Sequence, residues 1–306
     1  MARRRNRGRS VNGVLLLDKP TGITSNAALQ IVKRLFNANK AGHTGSLDPL
    51  ASGMLPICLG EATKISSFLL SADKGYRTTC KLGVTTDSGD ADGEILETHA
   101  VGELAVTQVR EILESFLGQS QQIPPMYSAI KQGGQPLYKL ARQGIEVERE
   151  PRDITIHSLK LLRLEGDELE LDVSCTKGTY IRVLAEDIGE ALGCGAHVAA
   201  LRRTSVGALD GHAMHTLASL QAIVEQSDSH ALDELLLPME STLPDWPEVR
   251  LSDDASFYLC QGQAVFVPQL KDRGWVRLYA GDKRFLGLGT VLDDGRVAPK
   301  RLLSTC

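Results

Sequence analysis

No two of the six cysteines stand in a CxxC pair, and the chain carries neither a Walker loop nor a GxGxxG turn. The first absence removes the commonest zinc and redox signatures, and the others remove the usual nucleotide cradles. Cys194 and His197 form a lone CxxH, short of the about four ligands a zinc site needs. Cys58, Cys80, Cys175, Cys194, Cys260 and Cys306 are therefore read as small reduced thiols, and the protein as cytoplasmic. No apolar run approaches the roughly 20 residues that cross a bilayer, so no membrane partner is expected. Five Arg precede Ser10, but the apolar run behind them, Val14 to Leu17, is too short for a signal-peptide core. Residues 1–10 are expected to be a disordered basic tail. The acidic stretch TDSGDADGE misses the carboxylate spacing of a calcium loop. There are no internal repeats.

The net charge of −4 argues against a broadly basic nucleic-acid binder while leaving room for a local patch. Charge is uneven. From Arg250 onward nine Lys and Arg face six Asp, so the larger amino-terminal body is acidic and the end of the chain mildly basic.

Regular elements are legible in several places. GVLLLDKPTGITSNAALQIVKRLF reads as a buried strand, a turn and a helix capped by Thr24 or Ser25. GYRTTCKLG alternates, with Tyr76, Thr78, Cys80 and Leu82 on one face. Residues 104–117 follow a helical pattern, and residues 123–152 break it with prolines, Gly-Gly and a short basic helix. ELELDVSCT is another alternating strand. The helix after it has the apolar stripe Ile181, Leu184, Ile188 and Leu192, which leaves Tyr180 and Arg182 off the stripe, pointing out of the core. Pro238, Pro244 and Pro247 mark a linker, and the short β-rich runs beyond suggest a small barrel or sandwich.

One stretch stands apart. Between Lys40 and Glu61 there is a single acidic side chain, Asp48, and no Lys or Arg. Asp before Pro is a common turn starter. A carboxylate with no close charged neighbours also suits a nucleophile or base whose ionisation is set by one distant partner. Local pattern alone leaves both readings open.

GHTGSLDPLASGMLPICLGEATK closely resembles the catalytic motif of the bacterial tRNA pseudouridine synthase B (TruB) family. LLLDKPTGITS, DKGYRTTCKLGVTTDSGDADG, IPPMYSAIKQGGQPLYKLARQG and CTKGTYIRVLAEDIG resemble it in the same order, and FLGLGTVLDDGRVAPKRLL resembles the end of its small RNA-binding PUA domain. The likeness runs from about Gly13 onward and omits the Arg-rich tail. It implies an α+β fold: a mixed, largely antiparallel sheet flanked by helices, then a small PUA-like β-barrel. The expected division is a catalytic domain over 11–249, with an RNA-clamping insertion at about 123–152, and an RNA-binding domain over 250–306.

The implied reaction is the isomerisation of uridine 55 in the T-loop of tRNA, without a cofactor or metal. Asp48 is the implied nucleophile. Tyr76 would stack on the flipped uracil and move a proton, and Arg182 would pair with Asp48. Tyr180 and Leu201 would hold the base, and His43 would contact the RNA and help extrude it. Lys19 and Lys64 flank the motifs and are expected to meet phosphate. Asp90 either helps place Arg182 or makes an Asx turn. Extrusion costs roughly a few kcal/mol, to be offset by stacking and backbone contacts. A stand-alone monomer without guide RNA is expected. Two other classes remain: an RNA-binding or RNA-folding protein, and a hydrolase using Asp48 and His43 that would release free uracil.

Overall fold

A computed structural model describes residues 8–268, 270, 272–304 and 306. The strands are β1 Gly13–Lys19, β2 Ala41–His43, β3 Ser52–Leu59, β4 Lys74–Leu82, β5 Val84–Thr86, β6 Ile95–Thr98, β7 Gly118–Gln122, β8 Lys131–Gln132, β9 Gln135–Pro136, β10 Arg152–Glu165, β11 Glu168–Cys175, β12 Ala196–Val206, β13 His215–Thr216, β14 Glu248–Arg250, β15 Val265–Phe266, β16 Gly274–Tyr279, β17 Phe285–Val291 and β18 Arg296–Leu302. The helices are α1 Ser25–Leu35, α2 Ser66–Ser71, α3 Val106–Ser115, α4 Leu137–Ala141, α5 Ile181–Ala191, α6 Leu217–Gln226 and α7 Asp253–Cys260.

The body is built on a nine-stranded sheet in the order β13-β1-β3-β12-β4-β11-β10-β7, with β2 paired beside β3. The β1–β13 and β3–β12 pairs are parallel and the others antiparallel. The uninterrupted apolar run of β1 follows from burial on both faces. Leu15 and Leu17 enter the main core with Leu55, Ile57 and Leu59, while Val14 and Leu16 join a second core with Met54 and Cys58. That second core also takes in Tyr279, Phe285 and Leu288 of the carboxy-terminal sheet.

In β4 the alternation holds: Tyr76, Thr78, Cys80 and Leu82 are all buried. Thr24 caps α1 by accepting from the Ala27 amide at 3.1 Å. The carboxy-terminal strands form a curled half-barrel in the order β14-β16-β17-β18-β15. At the junction, Phe68 meets the rings of Trp246 and Trp275 edge-on, with centroids 4.7 and 4.9 Å apart.

Three expectations need correction. Cys260 and Cys306 are joined as a disulfide, bringing α7 to the last residue; the other four cysteines are free and buried. Of the tail expected over 1–10, residues 1–7 lie outside the described residues, but Arg9 is fixed. Its amide donates to Asn37 O at 2.6 Å and its guanidinium grips Asp233 at 2.6 Å. Arg182, expected to point away from the core, is only 4% exposed.

Candidate active site

The charge-poor loop after β2 is pinned from below. The Ser25 hydroxyl, at the first turn of α1, accepts from the Leu47 amide at 2.7 Å and donates to the Leu47 carbonyl at 3.0 Å. The Asp48 carbonyl accepts from the Ala51 amide at 3.1 Å, closing the turn expected of Asp-Pro. Asp48 thus sits between a helix start and β3, its side chain still 44% open to solvent.

Arg182, in the first turn of α5, reaches Asp48 from above. Its Nε lies 3.1 Å from Asp48 Oδ2 and 3.6 Å from Asp90 Oδ2. Nη1 donates to Ser88 O and Nη2 to Tyr127 O, each at 2.6 Å. A guanidinium buried this deeply needs such a full set of acceptors. The protein walls around Asp48 push its pKa above the usual carboxylate range, Arg182 and Lys19 oppose that rise, and Asp90 adds to it. Asp90 is buried beside this pair. It faces Arg182, and its Oδ1 takes bonds from the Ser88 hydroxyl at 2.6 Å and the Asp92 amide at 3.2 Å.

Tyr76 lies under the site on β4. Burial pushes its hydroxyl pKa up, the adjacent Arg203 guanidinium opposes the rise, and the charge of Asp48 adds to it. Tyr180 is the residue before α5. Its amide donates to Gln122 Oε1 at 2.7 Å and its carbonyl accepts from Gln122 Nε2 at 3.1 Å. Its hydroxyl is likewise pushed up by burial. Leu201 is half-buried on β12 and lines a cleft of about 500 Å³ with Leu50, Arg77 and Arg202. His43 ends β2. Its Nδ1 is buried without a hydrogen-bond partner among the described residues, and burial together with Arg203 holds its pKa below the usual value, so the ring is neutral at pH 7.

The two lysines expected to meet phosphate lie in different surroundings. Lys19 is fully buried, and its ammonium donates to Pro20 O at 2.9 Å and Ile23 O at 2.8 Å. It therefore braces the loop beside Asp48, and desolvation lowers its pKa to about 8. Lys64 donates to Glu61 Oε2 and to Leu302 O, both at 2.6 Å, at the junction with the carboxy-terminal half-barrel. The Lys19 ammonium is closed off from solvent, whereas the Lys64 side chain remains 31% exposed.

Sequence reasoning missed Arg203. It is 1% exposed, donates from Nε to Met54 O at 2.7 Å and from Nη2 to Gly45 O at 3.2 Å, and makes no salt bridge among the described residues. It ties the Asp48 loop to β3 and sets its charge beside Tyr76. The Ser25–Leu47 pair was also missed; local sequence showed only that Ser25 could cap. Among the described residues no group of three or more His, Cys, Asp or Glu is arranged to hold a metal, and the His197 Nδ1 lies 2.8 Å from Val84 O.

Comparison with known proteins points one way. Residues 33–181 match the family described as TruB family pseudouridylate synthase (N terminal domain). Residues 182–244 match the tRNA pseudouridylate synthase B C-terminal domain, and 247–303 match Pseudouridine synthase II TruB, C-terminal. The tRNA pseudouridine synthase B of Nitrosococcus oceani is 59% identical over 300 residues, 98% of this chain and 97% of that one. That of Yersinia pestis is 55% identical over 310 residues, 99% of this chain and 95% of that one. Among solved structures, a Cbf5-Nop10-Gar1 complex contains a chain 29% identical with TM-score 0.72, matching 92% of this chain and 78% of that one. An H/ACA RNP bound to a substrate RNA containing 2'-deoxyuridine contains one 25% identical with TM-score 0.72, matching 98% and 91%.

Proposed function

The chain belongs to the TruB family of pseudouridylate synthases, and on that premise we propose that it isomerises uridine 55 in the T-loop of tRNA, with Asp48 as nucleophile. As a tRNA pseudouridine synthase it is an isomerase. In the reaction the C1′–N1 bond breaks, the uracil turns, and C5 bonds to C1′. The C5 proton leaves and N1 gains one, so no atom is lost and no electron is exchanged.

The observation that carries the reading is the bracket of Arg182 on Asp48, 3.1 Å apart, over the buried Tyr76. The reaction needs an ionised carboxylate where water is scarce, because water would capture the sugar and release uracil. Arg182 favours the ionised form and orients it. In this proposal Tyr76, beside the cationic Arg203, stacks on the uracil and takes part in the proton transfer at C5. Neutral His43 contacts the RNA and assists extrusion; Tyr180 and Leu201 hold the flipped base.

The division at residues 249 and 250, contact of the PUA-like half-barrel with the acceptor end, and action as a monomer without guide RNA belong to the same proposal. So does a cytoplasmic location; no helix among the described residues is long and apolar enough to cross a membrane.

The test is tritium release from a T-arm hairpin labelled at uridine C5, with free uracil measured alongside. Wild type is expected to release tritium without free uracil. Asp48→Asn should release none while binding the hairpin within a few-fold of wild type. Free uracil would make the protein a hydrolase, and tight binding without release by wild type would make it an RNA-binding protein.

A further inference from the structure

Arg182 is not held by carboxylates alone. Its two terminal nitrogens are spent on backbone carbonyls, Ser88 O from the acidic turn and Tyr127 O from the insertion that follows β7. The two segments are also joined to each other, since the Tyr127 hydroxyl donates to Asp87 Oδ2 at 2.9 Å. Asp87 is itself anchored. Its Oδ1 accepts from the Glu94 amide at 2.8 Å, and its own amide donates to Glu94 O at 3.0 Å. Tyr127 thus meets the site twice, through its carbonyl on Arg182 and through its hydroxyl on the residue preceding Ser88.

The rest of the insertion is loosely attached. Ile123 and Ile145 are more than two-fifths exposed, and Gly133, Gly134 and Gly144 sit at positive φ with open space around them. A segment built this way reorients easily at its far end, so its near end must be fixed if the catalytic pair is to keep its geometry.

We propose that Tyr127 is a positioning residue: its hydroxyl latch on Asp87 keeps its carbonyl on Arg182 Nη2, which aims Nε at Asp48, so that the attachment of the insertion and the readiness of the nucleophile are one event. The inference rests on Asp48 being the catalytic carboxylate. If the latch opens, Nη2 loses a carbonyl inside a buried site and the guanidinium must turn to find another acceptor, taking Nε away from Asp48. Misplacement of about 1 Å at a reacting centre is enough to cost a large rate factor. By linkage, an RNA that holds the insertion in place favours the aligned pair, and the aligned pair favours that RNA.

The test uses Tyr127→Phe, Asp87→Ala and the double variant in the full chain, assayed by single turnover at saturating T-arm hairpin, with hairpin affinity measured separately. Asp87 is exposed, so its variant reports on the latch even if Tyr127→Phe folds poorly. Each single variant is expected to turn over about tenfold more slowly with affinity within about twofold of wild type, and the double variant no more slowly than either single. Rates within twofold of wild type overturn the proposal. So does a loss that disappears at saturating RNA, which would make the contact one of binding alone, and so do losses that add. Asp48→Asn run in parallel separates the two readings: turnover by that variant removes Asp48 as nucleophile whatever Tyr127→Phe does.

Discussion

The hydroxyl of Ser25 closes a two-bond clasp on Leu47, accepting from its amide and donating to its carbonyl, one residue before Asp48. The clasp fastens a loop without regular hydrogen bonding to the first turn of a helix, and both partners are buried.

Ser25→Ala removes both bonds and leaves the amide and carbonyl of Leu47 unsatisfied. The cost should be about 1–3 kcal/mol. Thermal unfolding should show a fall of several degrees. The single-turnover rate should fall further than RNA affinity, since the clasp holds Asp48 and both its partners are buried.

Glu186, one turn beyond Arg182 on α5, is pushed up to about 7, chiefly by burial, with Arg182 opposing the rise and Asp187 and Asp90 adding to it. A carboxyl with a raised native pKa stabilises the fold most when protonated. Its contribution is complete below its unfolded value near 4.5 and is lost as pH rises through about 7. Glu186→Gln should therefore be more stable than wild type at pH 8, by about 1–3 kcal/mol. The gain should vanish toward pH 4.5. Chemical denaturation at the two pH values checks this; equal differences at both would contradict it.

Gly53 lies on β3 at φ +96°, and a Cβ there would stand 2.3 Å from the Arg203 carbonyl. That carbonyl belongs to the strand pair joining β3 and β12 in parallel. Gly53→Ala must part the two strands, so it should cost more than about 2 kcal/mol and abolish turnover together with stability. Urea unfolding is the measurement, with Gly22→Ala, where nothing lies within 4 Å, as the control for positive φ without a clash.

Lys64→Met removes the two bonds that hold Glu61 and the Leu302 carbonyl at the junction. Limited proteolysis within residues 238–247 should become several-fold faster. Turnover on a T-arm hairpin should change less than turnover on whole tRNA, because the half-barrel is proposed to meet the acceptor end.

The strands and helices of the body were legible because periodicity is local. Tyr76, Thr78, Cys80 and Leu82 alternate, and their burial follows. The resemblance to the family gathered Asp48, Tyr76, Tyr180, Arg182 and Asp90, and the fold brings them into one site. What was misread depends on partners far along the chain. Periodicity alone pointed Arg182 out of the core, because the carbonyls and carboxylates that cover it come from residues 48, 88, 90 and 127. Lys19 looked available for phosphate because the carbonyls that claim its ammonium are backbone groups, which side-chain patterns do not reveal. Arg203 gave no signal for the same reason. Cys260 and Cys306 lie 46 residues apart, with no spacing motif to pair them.

Arg203 stands 149 and 158 residues from the carbonyls it holds. The site is therefore finished only when β12 joins β3. During synthesis, a ribosome must have released well beyond half of the chain before any catalytic geometry exists. A message broken before codon 203 should yield protein without residual turnover, and a nascent enzyme has no working precursor that could modify tRNA early.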